Sequence, residues 1–202
     1  MRRIFIGTLV VLTIALINGC ANRKITRVDP SETIDLSGRW NDSDSRLVSE
    51  EMIGDLLTSA WIPRYLKAND KRPVVVVGLV ENKSHEHINS ETFIKDVEKA
   101  IIRDGNIRLV VAGEKRNELR KERAEQQDYA SPETTKKWGK ELGADFILQG
   151  TINSIVDSYK KQKVVTYQID LQLTNIETNE VVWMGDKKIK KQISDQIGRA
   201  HV

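Results

Sequence analysis

The sequence predicts an α/β domain, a mixed and mostly antiparallel sheet with helices against it, behind an export signal and a polar tether. Three observations predict it. Helical apolar spacing alternates with short branched runs through the middle of the chain. An alternating strand pair closes the sequence. Only 4 Pro and 12 Gly occur in 202 residues that are 39% hydrophobic and 30% charged, which excludes collagen-like, wholly disordered and multi-span membrane classes. The formal charge is +3, two units of it on Arg2 and Arg3, so there is no electrostatic footprint for nucleic acid.

Arg2 and Arg3 form a basic lead, and residues 4–17 are an uncharged apolar run. That run is shorter than the ~20 residues a membrane span needs, which makes residues 1–19 a signal peptide. It ends in Ile17-Asn18-Gly19-Cys20. The arrangement resembles the bacterial lipobox, which implies cleavage before Cys20, diacylglyceryl transfer to its sulfur and acylation of the new amino end. An ordinary secretory signal with a chance cysteine is the alternative. Cys20 is the only cysteine, so no disulfide within the chain accounts for it, whereas lipidation does. Ala21 and Asn22 follow without an aspartate at the second position, which by enterobacterial sorting rules implies the outer membrane.

Residues 20–44 read as a lipidated end and flexible tether, polar and aperiodic, with Pro30 as their single proline and Trp40 expected to pack on the folded domain. The domain is expected over residues 45–192. Ser45 is the expected cap of a helix whose Val48, Met52, Ile53, Leu56 and Leu57 recur every three or four positions, ended or kinked by Pro63. Residues 72–80 carry Val74, Val75, Val76 and Val77, a run suited to a strand buried on both faces. Residues 81–89 read as a loop, and 90–103 as a helix striped by Phe93, Ile94, Val97 and Ile101. A short strand over 107–112 precedes an exposed, charge-rich helix over 114–127 and another helix over 131–142, opened by Ser131-Pro132. Residues 145–155 and 164–174 are strands, the second alternating Val165, Tyr167, Ile169, Leu171 and Leu173 with polar residues. Residues 181–189 return as the last strand, and 193–202 belong to a polar tail.

The text Pro73 to Val80 followed by Glu81-Asn82-Lys83-Ser84-His85-Glu86-His87-Ile88 resembles the core of the LpoB family of penicillin-binding protein activators. Leu142-Gly143-Ala144-Asp145-Phe146-Ile147-Leu148-Gln149-Gly150 and Thr174-Asn175-Ile176-Glu177-Thr178-Asn179-Glu180-Val181-Val182-Trp183 agree with it. The resemblance covers about residues 45–192. It implies a fold like the TolB N-terminal domain and a lipoprotein, lipid-anchored in the outer membrane and facing the periplasm, that stimulates a class A penicillin-binding protein and so regulates cell-wall synthesis and cell shape. Related curli-secretion lipoproteins share the Gly-Ala-Asp lead-in and the aliphatic-Trp ending, so a structural subunit of an outer-membrane assembly is the second reading.

Other candidate sites carry less chemistry. His85-Glu86-His87 has histidines two apart, but a zinc site needs two further ligands. Glu81 and Glu86 form a carboxylate pair of the sort used in glycan hydrolysis, yet 29 acidic residues make such pairs common. No phosphate loop, nucleophile elbow or Cys/His pair is present. Residues 117–127 and two lysine clusters, Lys160, Lys161 and Lys163 with Lys187, Lys188, Lys190 and Lys191, are possible contacts for an acidic partner, peptidoglycan or headgroups. Lysines also guard strand edges against unwanted pairing. The expected chain is therefore a non-enzymatic binding module, without cofactor or metal, acting through Cys20 as its anchor.

Overall fold

The computed structural model describes residues 25–129 and 141–194. Met1–Glu32 and Thr33–Val202 are separate compact units. In the described part of the first, the Ser31 N–H and hydroxyl both donate to Asp29 Oδ1, at 2.8 and 2.6 Å. Cys20 and its apolar run, the helix expected over 131–142 up to residue 140, and residues 195–202 lie outside the described residues.

The second unit begins with an irregular stretch, residues 33–41, followed by helix α1 (Asp42–Thr58). Its cap is Asn41 and not Ser45. Asn41 Oδ1 accepts from Asp44 N at 3.1 Å, while Asp44 Oδ2 accepts from Asn41 N at 3.0 Å, so two otherwise orphaned donors are satisfied. Ser45 N already donates to Asn41 O as a helical bond, and its side chain is buried. Pro63 begins a helix instead of ending one. It occupies the first turn of α2 (Trp61–Asn69), where backbone N–H groups have no helical acceptor to lose.

Strand β1 (Val74–Asn82), helix α3 (Ser90–Asp104), strand β2 (Arg108–Val110) and helix α4 (Gly113–Tyr129) follow, then strands β3 (Phe146–Tyr159), β4 (Gln162–Asn175) and β5 (Val181–Ser194). Asn89 caps α3 by accepting from Glu91 N at 2.9 Å, and Gly105 closes it with φ 76°, a left-handed turn that favours glycine. The sheet runs β2-β1-β3-β4-β5, with β1 parallel to both β2 and β3 and the remaining pairs antiparallel. It is a mixed α/β fold, as expected. The last three strands are longer than their apolar patterns indicate. Residues 190–194, beyond the strand end expected at 189, pair with 162–166, because the stems of Lys187 and Lys191 continue the inward row of Trp183, Ile189 and Ile193.

Helices α1 and α3 pack on each other and on one face of the sheet. Val48, Ile53 and Leu56 from α1, Phe93 and Ile101 from α3, and Leu148, Ile152, Ile169, Leu171 and Leu173 from the strands are all essentially fully buried there. Each such side chain contributes about 1.5–3 kcal/mol through its burial. Trp61 and Tyr65 of α2 close one end, with rings edge-on to Phe146 at 5.2 and 5.3 Å. Asp145 fastens the start of β1: its carboxylate accepts from Val74 N at 2.8 Å, and its own N–H donates to Val74 O at 2.8 Å. The opposite face of the sheet carries mainly Thr, Gln, Asn and charged residues from β3, β4 and β5.

Candidate functional site

The β1–α3 loop is built around Asn82 and Glu86. Asn82 Oδ1 accepts from Ser84 N and Oγ at 3.0 and 2.7 Å, and its amide donates to Glu86 O at 2.8 Å, which rolls the loop back on itself. Glu86 is thereby turned toward the sheet, with its side chain only 13% exposed. One carboxylate oxygen accepts from Tyr167 Oη at 2.8 Å and the other from Trp40 N at 3.1 Å. His85 lies alongside, Nδ1 at 2.6 Å from Ser154 Oγ, Nε2 at 3.3 Å from Glu86 Oε1, its ring stacked on Tyr167 at 6.3 Å. Burial, and the hydrogen bond to Glu86, hold the Tyr167 phenol well above its ordinary pKa. The hydroxyl is therefore a fixed donor at any physiological pH.

The incoming chain completes this clasp. Trp40 packs edge-on to Tyr167 at 5.5 Å, and Arg39 to Asp42 and Ser45 with His85 to Asn89 line a cleft of about 540 Å³. Residues 35–44, read as the end of the tether, are bound to β5. Lys191 Nζ lies 2.6 Å from Asp35 Oδ1 and 2.6 Å from Asp44 Oδ2 and donates to Arg39 O at 3.0 Å. The Lys191 side chain is 9% exposed and that of Asp44 6%. Burial pushes the Lys191 pKa down, but the bonds to Asp35 and Asp44 outweigh it and the net shift is upward. The bond from Lys191 lowers the pKa of Asp35. Gly38 sits at φ 68° so close to β5 that an added Cβ would meet Ile193 Cγ1 at 2.5 Å.

The other residues singled out in the sequence are not gathered here. Glu81 is on the opposite side of the sheet from the clasp, 3.1 Å from Lys83 Nζ, so it does not share a cleft with Glu86. His87 is exposed, while His85 is engaged by Ser154 and Glu86. Among the described residues no group of three or more His, Cys, Asp or Glu is placed to hold a metal. Helix α4 is solvated along its length and is tied by Arg120, which grips both Glu141 oxygens at 2.8 and 2.9 Å. The lysines of β5 divide. Lys187 is bonded to Glu51 and Lys191 to Asp35 and Asp44, whereas Lys188 and Lys190 stand on the polar face. The clasp was missed in the sequence although one signal existed, the capping spacing of Asn41 and Asp44. Nothing local marks Glu86 or Lys191 as inward-facing.

The motifs that carried the family resemblance are the ones that hold this geometry. Asn82 and Glu86 fold the loop, Asp145 fastens β1, and Asn175 Oδ1 accepts from Glu177 N and Thr178 N to shape the β4–β5 turn. The model of the family described as the peptidoglycan-synthase activator LpoB matches residues 44–189. The chain belongs to the LpoB family. No curated protein sequence matches it. Among solved structures it is similar to the LpoB C-terminal domain from Escherichia coli, at 19% identity and TM-score 0.42 over 75% of this chain and 99% of that one. The corresponding domain from Salmonella enterica gives 16% and 0.41 over 72% and 98%. The lipoprotein GNA1162 from Neisseria meningitidis gives 15% and 0.39 over 62% and 88%. Within the described residues of this LpoB-family chain, no helix is long and apolar enough to cross a membrane.

Proposed function

We propose that this chain is a lipoprotein, acylated at Cys20 and held in the outer membrane facing the periplasm, that binds a class A penicillin-binding protein and activates it without catalysing a reaction itself. The observation that carries the reading is the match to the activator family from residue 44 to residue 189, which takes in the whole described domain except its ends. The clasp supports a contact role over a catalytic one. Each polar group of Glu86, Tyr167 and Lys191 is committed to an internal partner, so these three groups hold the surface in shape.

An activator of this sort works by binding the active conformation of the synthase more tightly than the inactive one, and the activation cannot exceed that ratio of affinities. The lipid on Cys20 contributes local concentration by confining the domain to one surface. The test is reconstitution. Adding the purified, acylated protein to a class A synthase in vesicles is expected to raise the rate of glycan polymerisation and to show saturable binding. Unchanged synthesis together with absent binding refutes the activator role. Mass spectrometry showing an unmodified thiol at Cys20 refutes the anchor.

A further inference from the structure

We infer that the open edge of β2 binds an extended segment of another protein, alternating apolar and acidic residues, which adds to the sheet as a further strand. The surface lies wholly within the Thr33–Val202 unit and asks nothing of the anchor or the synthase. Strand β2 ends the sheet, pairs with β1 on one side, and among the described residues has no strand on the other. Arg108 N donates to Pro73 O at 2.9 Å. In this parallel ladder Arg108 and Val110 therefore spend their backbone groups on β1, while the N–H and C=O of Leu109 point away from the sheet. Farther along, Val111 O accepts from Arg116 Nε at 2.8 Å, which bounds the open stretch. Unpaired strand groups of this kind are a template for a second chain.

Charge and shape beside the edge select the occupant. A groove of about 460 Å³ runs between α3 and β2. Its apolar part is Ile102, 64% exposed, with Leu109 and Val111. Four cations, Arg72, Lys95, Arg108 and Lys115, line it against one acid, Glu98. Glu98 is spent on Lys95, and among the described residues neither Arg108 nor Lys115 has a carboxylate partner. Leu109 packs against the core, so Arg108 projects from the opposite face of the sheet. A strand laid along Leu109 alternates in the same way: its apolar residues meet Ile102 and Leu109 on the α3 side, and its acidic residues meet Arg108 on the other. Backbone bonds then supply affinity and the alternate side chains specificity. A second copy of this chain is the poorer occupant, because two such edges bring like-charged grooves together.

The test uses the full-length protein in detergent and a fluorescein-labelled peptide of alternating Glu and Val, blocked at both ends. Saturable binding by anisotropy is expected, with protection of the Leu109 amide from hydrogen exchange and no change at Arg108, whose N–H is already bonded to Pro73. The same peptide with Lys in place of Glu, or with its backbone amides methylated, should bind at least about tenfold more weakly. Leu109→Pro removes the outward N–H and leaves the bonds to β1, whereas Arg108→Glu reverses the charge. Each should weaken binding about tenfold with the circular dichroism spectrum unchanged. Should Leu109→Pro unfold the domain, Arg108→Glu and the methylated peptide decide. Absence of saturable binding, equal affinity for the acidic and basic peptides, or an unprotected Leu109 amide overturns the inference. So does self-association of the unliganded chain that Leu109→Pro abolishes, which gives the edge to a second copy.

Discussion

Lys191→Met tests whether residues 35–44 are an integral part of the domain. The methionine keeps the apolar stem but removes an amine that meets Asp35 and Asp44 at 2.6 Å each and Arg39 O at 3.0 Å. What remains is a carboxylate on Asp44 that is 6% exposed and has lost its counter-charge. Breaking such a buried pair from one side costs about 3–5 kcal/mol. Asp35 is 48% exposed and Asp44 keeps its bond from Asn41 N, so the cost falls somewhat below that range, to about 2–4 kcal/mol. For a domain of this size that lowers Tm by roughly 4–16 °C, read by urea or thermal unfolding followed by circular dichroism. Asp44→Asn in the same chain should restore part of the loss, which a double-mutant cycle measures. The pKa of Lys191 is raised in the folded state above 10.5. Its contribution is therefore complete below that value and fades as pH rises through the raised one, so the gap between wild type and variant should close in strong alkali. A loss under about 1 kcal/mol, the range of a surface pair, would refute the reasoning and return residues 35–44 to the tether.

Other perturbations follow from single contacts. Gly150→Ala places a Cβ 2.2 Å from Asp170 O and 2.5 Å from Leu171 Cδ2, so β3 and β4 must separate; unfolding free energy should fall by about 1–3 kcal/mol, measured by urea melts. Tyr167→Phe deletes the 2.8 Å bond to Glu86 and should cost about 1–3 kcal/mol, with faster amide exchange at Trp40 as the specific sign that the clasp has loosened. Ile152→Ala, at a fully buried site beneath α1 and α3, should cost about 2–5 kcal/mol with no change in β5 pairing by cross-strand nuclear Overhauser effects.

Much of the architecture was legible because burial imposes periodicity. The valines of β1, the stripe of α3 and the alternation of β4 appear where the sequence places them, since an element that buries a face must write that face at its own repeat. Pro63 was misread because proline excludes only the helix interior, and whether a first turn starts there depends on where Trp61 packs. The end of β5 was missed because lysine stems, not aliphatic side chains, fill its inward positions.

The sequence by itself determined the mixed α/β class and the loop and turn residues that carry the family resemblance, because these depend on neighbours a few positions apart. Only the tertiary structure decided that Glu86, Tyr167 and Trp40 form one clasp and that Lys191 closes on Asp35 and Asp44. Those partners lie 81, 46 and more than a hundred positions apart. A polar residue carries no local mark of which distant charge will stand in for water when it is buried; the sheet register settles that.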